Sequence, residues 1–226
     1  MLLPIARVLE RSLVGGQVSG RVPLLLLLLL LTPLSGVASQ STSTPPLVTI
    51  TPSAGRFSFG DYFTGPAGIT FSNQTANGYG GELSVRVWKG VSVLGSVLHA
   101  SSNWSFDEIP VLGRVTVEGA SLWFYDIGAR AQSKLASSSP LSAFAQLGAG
   151  AIHYSVDNPL FSGSAFNLTF SGGVGLIANL GERFTLQGLL KDYYASFRSV
   201  DDAAAYGVEG QRAHTLAVLF GLGVGF

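Results

Sequence analysis

The chain has 226 residues with 13 Lys plus Arg against 13 Asp plus Glu, so it is formally neutral and only 12% charged, about half the share of roughly 25% usual in soluble domains. Balanced charge gives no support for a nucleic-acid partner, which needs a basic patch, and the lack of any cysteine excludes disulfides and a lipoprotein anchor. Glycine is abundant at 29 residues, aromatics reach 11%, and the mean hydropathy is +0.40.

The first segment reads as a secretory leader. Arg7, Arg11 and Arg21 precede the run Leu24 to Leu31, and Pro33, Ser35, Gly36, Ala38 and Ser39 follow, the charge, apolar core and small-residue exit of a signal peptide. The leucine run falls short of the roughly 20 apolar residues a membrane helix needs. Cleavage after Ala38 or Ser39 starts the mature chain near Gln40, and removal of 39 residues leaves 187 of the 226, enough for one domain. Residues 40–54, rich in Ser, Thr and Pro, read as a flexible lead-in, and residues 55–226 as the folded domain.

Strands follow. The first spans Arg56 to Thr64, and the second Gly80 to Trp88, with Leu83, Val85 and Val87 opposite Glu82, Ser84 and Arg86. Lys89-Gly90 turns into a third, Val91 to Ala100. A fourth, Ala120 to Ser133, sets Trp123, Tyr125, Ile127 and Ala129 against Leu122, Phe124, Asp126 and Arg130, and a fifth runs from Leu141 to Tyr154. In the sixth, Phe166, Leu168, Phe170, Val174 and Leu176 oppose Asn167, Thr169, Ser171, Gly173 and Gly175. Gly181-Glu182-Arg183 turns into the seventh, Phe184 to Phe197. The eighth, His214 to Phe226, places Leu216, Val218, Phe220, Leu222, Val224 and Phe226 on one side and Ala217, Leu219, Gly221, Gly223 and Gly225 on the other.

Strict alternation makes each strand greasy on one face and small or polar on the other. Eight strands, with no sustained helical period, predict an all-β, antiparallel up-and-down sheet. Connections one, three, five and seven are long and two, four and six short, as in a transmembrane barrel with long outer loops and short periplasmic turns. Closure removes the edges that lipid forbids.

Several segments resemble the small eight-stranded outer-membrane barrels related to the membrane domain of outer membrane protein A. Pro140 to Ala151 is similar to that family's strand opening near a proline and carrying Gly-x-Gly; Phe170 to Arg183 resembles its Gly-x-Gly strand with a short turn. Phe184 to Phe197, with Lys191-Asp192-Tyr193, resembles the strand that follows, and Phe226 its carboxy-terminal aromatic. The resemblance implies a Gram-negative outer-membrane location, contact with lipid and lipopolysaccharide, and recognition of Phe226 by the outer-membrane assembly machinery. With nothing after Phe226, no cell-wall-binding domain is expected.

The inward faces hold Glu82, Arg86, Asp126, Arg130 and Lys191. An eight-stranded barrel is just wide enough for side chains to fill it, so these charges are expected to pair across the lumen and leave no open pore. Lys191 and Asp192 are adjacent and cannot both point inward, which sends one of them toward the outer interface. Trp88, Trp123, Tyr125, Tyr193, Tyr194 and Phe226 read as an interfacial girdle, and Trp104 as a loop residue.

His153 and Ser155 share one face near a strand end, a pair similar to that of outer-membrane lipid A deacylases. Asn158 extends this likeness. A His activates a Ser only when a third group orients it, and the acids at hand, Asp157 and Glu182, are respectively local and at the opposite strand end, so no catalysis is expected. His99 and His214 show no metal-ligand spacing, and no phosphate-cradling motif or cofactor site is evident. The expected function is that of a monomeric outer-membrane barrel, porin-like in build, with a structural or surface-interaction role. Two alternatives are a lipid A deacylase-like hydrolase and a soluble periplasmic lipocalin-like ligand-binding barrel.

Overall fold

The computed structural model describes residues 46–64, 70–109, 113–136, 139–157, 162–197 and 209–226. The leader and the expected site of cleavage lie outside the described residues. Strands are β1 (Val48–Phe59), β2 (Asp61–Thr64), β3 (Thr70–Asn73), β4 (Ala76–Trp88), β5 (Val91–Ile109), β6 (Gly113–Lys134), β7 (Leu141–Asp157), β8 (Ser162–Asn179), β9 (Phe184–Ser196), β10 (Glu209–Gly210) and β11 (Arg212–Gly225).

Eight of them form a closed antiparallel ring. Each of β4 to β8 pairs with its successor, β9 with β11, β11 with β1, and β1 with β4. The stagger is read from one row of directly opposed residues. Starting at His214, it passes Tyr194, Phe170, Ala149, Ile127, Gly95, Leu83 and Ile50 and rejoins β11 at Val224, ten residues along. Such a shear tilts the strands by about 40° from the barrel axis.

The short turns gather at one end, with the chain's last residue. There Leu47 N–H donates to the Phe226 carbonyl at 2.9 Å, Phe226 N–H to Val48 O at 2.9 Å, and Arg86 N–H to Leu47 O at 2.8 Å. Gly90, at φ 75°, turns β4 into β5, a conformation open to glycine at no steric cost. At the opposite, loop end, β2 pairs with β3 and β10, and β3 with β5.

Three sequence expectations are corrected. The first strand begins at Val48 rather than Arg56, so residues 48–54 are strand and not lead-in. Pro52 disguised it, because proline cannot donate to a ladder; it faces Gly81 on β4, while the β1–β11 pairing steps from Ile50 to Ser53. The second long connection is mostly strand, since β5 and β6 run on as a paired ribbon. Trp104 therefore stands in β5, opposite Val117 and Asn73. The register shifts between Ser102 and Trp104, near Gly119 at φ 107°, a bulge geometry that re-aims the ribbon.

The alternation sets the faces. Leu168, Phe170, Leu176, Val218, Phe220 and Leu222 point outward and are exposed, whereas Asn167, Thr169, Ser171, Ala217 and Leu219 are buried inside. The apolar exterior departs from a soluble lipocalin-like barrel, whose outer faces are polar.

Candidate functional site

The interior polar side chains come from strands that alternate in phase with the greasy exterior. Asp126 and Arg130 lie four residues apart on β6, hence on one face and about 13 Å apart along the strand. Each is the centre of its own buried cluster.

Arg130 is the hub nearer the turn end. Its Nη2 donates to both oxygens of Glu82, at 2.6 and 2.7 Å, and to Gln146 Oε1 at 2.6 Å. Its Nε reaches the same Gln146 oxygen at 3.1 Å and its Nη1 reaches Gln187 Oε1 at 3.2 Å. The guanidinium also lies 4.2 Å from the centre of the Phe144 ring. That ring has room because residue 175, directly opposite on β8, is glycine: a Cβ there would stand 2.4 Å from the Phe144 ring. So Gly175 admits Phe144, and Phe144 supports Arg130.

Asp126 centres the second cluster. Lys191 Nζ stands 2.5 Å from its Oδ2, Ser171 Oγ donates to the same oxygen at 2.8 Å, and Ser96 Oγ donates to Oδ1. Lys191 also donates to Ser96 at 3.3 Å and lies 4.9 Å from the Tyr193 ring centre. Opposite charges with their remaining hydrogen-bonding positions filled are the one arrangement in which buried ions persist at tolerable cost. A cavity of about 10 Å³ beside them, lined in part by Thr51, Glu82, Ser96, Gln187 and Lys191, has room for about one water.

Toward the loop end the filling becomes aromatic. Tyr62 and Phe197 stack with centroids 3.9 Å apart, Phe63 and Tyr154 meet edge to face at 5.8 Å, and Phe57 and Phe124 stack at 5.3 Å. Tyr62 shares a hydrogen bond with Thr215. Burial is the larger influence on this phenol and pushes it above its ordinary range, so it stays protonated.

Glu82, Asp126, Arg130 and Lys191 therefore meet inside as two ion pairs. Arg86, nearer the turn end, donates from its guanidinium to the Pro46 carbonyl. Lys191 takes the inward position and Asp192 the outward one. Tyr193 is corrected from girdle to lumen: it is 0% exposed, because its neighbour Tyr194 takes the outward phase. Alternation alone does not single out Ser96, Gln146, Ser171 and Gln187 as partners of these charges. Their signal is inward phase combined with register, as in Ser96 opposite Asp126 and Gln146 opposite Arg130, and it becomes visible only once strands are paired.

The candidate catalytic pair fares differently. His153 and Ser155 lie on the outward face of β7, and the His153 ring stacks on Phe166 with centroids 4.3 Å apart. Glu182 is in the turn at the far end of β8; Asn158 and the Asp157 side chain lie outside the described residues. The carboxylate that does orient an imidazole is Asp192, whose Oδ2 lies 2.8 Å from His214 Nδ1 on the outward face. Among the described residues, no three His, Asp or Glu converge on a metal-sized site.

A closed eight-stranded ring with greasy outward faces and a charged, self-paired interior defines a class, the small transmembrane β-barrels. Comparison with solved structures narrows the fold to that of the eight-stranded outer-membrane barrels. The crystal structure of Neisserial surface protein A matches with a TM-score of 0.51 at 14% identity, covering 79% of this chain and 97% of that one. The N-terminal β-barrel domain of Pseudomonas aeruginosa OprF gives 0.49 at 13% identity, covering 81% and 100%. OprG, from the same organism, gives 0.46 at 13%, covering 80% and 97%. No family model and no curated protein matches the chain.

Proposed function

We propose that the protein is a monomeric, non-catalytic barrel of the Gram-negative outer membrane whose filled lumen conducts no steady current and whose loop end carries a structural or surface-interaction role. The observation that carries this reading is the outward apolar surface, which continues around the ring through Leu83, Ile127, Leu168, Leu190 and Phe220, each at least 42% exposed. Water tolerates no such belt on a soluble domain, whereas the hydrocarbon of a bilayer requires it. Exposed Trp88, Phe184 and Phe226 border it at the turn end, and Trp123, Tyr125 and Tyr194 toward the loop end, the placement of interfacial aromatics. The long connections then lie outside the cell and the short turns in the periplasm.

Two buried ion pairs followed by an aromatic stack support a blocked lumen. The outward histidine at 153, stacked on Phe166 and with no orienting acid among the described side chains, supports a non-catalytic role. Insertion is assigned to the assembly machinery reading the last strand and Phe226.

The test is mobility in dodecyl sulfate, unheated against boiled, on the outer-membrane fraction. A heat-dependent shift is expected, together with no steady conductance in planar bilayers and no acyl release from lipid A. Recovery in the soluble periplasm without a shift overturns the location, and acyl release lost in His153→Ala and Ser155→Ala overturns the non-catalytic role.

A further inference from the structure

The outward face differs between the two flanks of the barrel near the loop end. Over β5 to β8 it is paved with rings: His99, Trp123, His153 and Phe166 stand directly opposite one another across four strands, with His99 4.5 Å from Trp123. Over β1 the paving stops. Its outward residues Pro52, Ala54, Arg56 and Ser58 are small or polar and all exposed.

These residues form the floor of a shallow trough. Ala54 stands in register between Phe220 of β11 and Tyr79 of β4, side chains 64% and 63% exposed that rise on either side. Pro52 faces Gly81, which adds no wall of its own. At the trough's loop-end limit Arg56 stands between Val218 and Asn77, with Ser58 two residues beyond. No ion pair or hydrogen bond engages Arg56 among the described residues. The one carboxylate on this flank of β9 and β11, Asp192, is taken by His214.

A guanidinium at the edge of a hydrocarbon belt is costly without an anion, and its planar fork matches a phosphate bidentately. A groove of small residues directly below it suits an extended acyl chain. Ser58 and Asn77 beside it present donors and acceptors to hydroxyls.

On the outer-membrane reading, on which this rests, we propose that the β1 trough is a site for a phosphorylated, acylated sugar lipid of the outer leaflet. Arg56 holds a phosphate, Ser58 and Asn77 meet the sugar, and an acyl chain lies over Ala54 and Pro52 between Tyr79 and Phe220.

The test is native mass spectrometry of the full folded barrel in detergent with three probes: diphosphorylated lipid A, its dephosphorylated form, and phosphatidylglycerol. Retention of diphosphorylated lipid A is expected to exceed that of both other probes, and to fall about tenfold in Arg56→Gln, as loss of a charge-assisted bidentate contact implies. Ala54→Phe, which fills the trough without touching the charge, is expected to fall equally, and Lys89→Gln, in a turn at the other end, to retain the lipid. Undiminished retention by Arg56→Gln, equal retention of phosphatidylglycerol, or a second copy of the barrel in place of lipid overturns the site. Each variant is run unheated and boiled. Loss of the shift in wild type counts against the membrane-barrel reading itself, whereas a normal shift with no lipid preference counts against the trough alone.

Discussion

Removing Glu82 from the Arg130 cluster tests whether the interior is held by mutual pairing. The Arg130 guanidinium makes two bonds to Glu82, at 2.6 and 2.7 Å, and shares Gln146 and Gln187, with side-chain exposures of 5% and 7% for the pair. Truncating Glu82→Leu leaves a buried cation facing amide oxygens alone, a loss of about 3–5 kcal/mol, and Arg130→Met strands the carboxylate at a similar loss. The double variant removes both ions and both desolvation penalties. What remains is the loss of donors to the Gln146 and Gln187 oxygens, about 1–3 kcal/mol. The two single losses therefore sum to about 6–10 kcal/mol, yet the double is expected within about 3 kcal/mol of wild type, a coupling several times that of an exposed pair. Urea unfolding of the barrel in lipid vesicles, followed by tryptophan fluorescence and gel shift, measures the cycle. Additive losses would refute the claim that Glu82 and Arg130 act as one unit.

Two other substitutions probe packing and assembly. Gly175→Val sets a Cβ 2.4 Å from the Phe144 ring and 2.3 Å from the Gly188 carbonyl, so it is expected to cost about 1–3 kcal/mol or more; an unchanged unfolding midpoint counts against the Gly175–Phe144–Arg130 support. Phe226→Ala is expected to leave export intact and lower the fraction of heat-shifted barrel in the outer membrane, and normal insertion removes Phe226 from the assembly signal.

The strands from Gly80 onward were legible because their period of two survives any tertiary arrangement: a side chain exposed to lipid and its neighbour turned to the lumen must differ in polarity. β1 was less legible because Pro52 interrupts the ladder signal and Arg56 and Ser58 stand where greasy residues mark the other strands. Trp104 was misplaced for a related reason. Beyond the barrel rim the β5 and β6 backbones satisfy one another as a ribbon, so the strand continues without the apolar belt that made its lower part recognisable.

Alternation thus decided class, strand count and the inward phase of Glu82, Asp126 and Arg130, since each depends only on near neighbours in the chain. Partner choice depended on register and stagger, which relate residues tens of positions apart. Tertiary structure alone matched Arg130 to Glu82, 48 residues away, and Lys191 to Asp126. It sent Tyr193 into the lumen and Asp192 out to His214. Closure with a ten-residue stagger also set Ala54 between Phe220 and Tyr79 below Arg56, because only a closed ring makes the first and last strands neighbours.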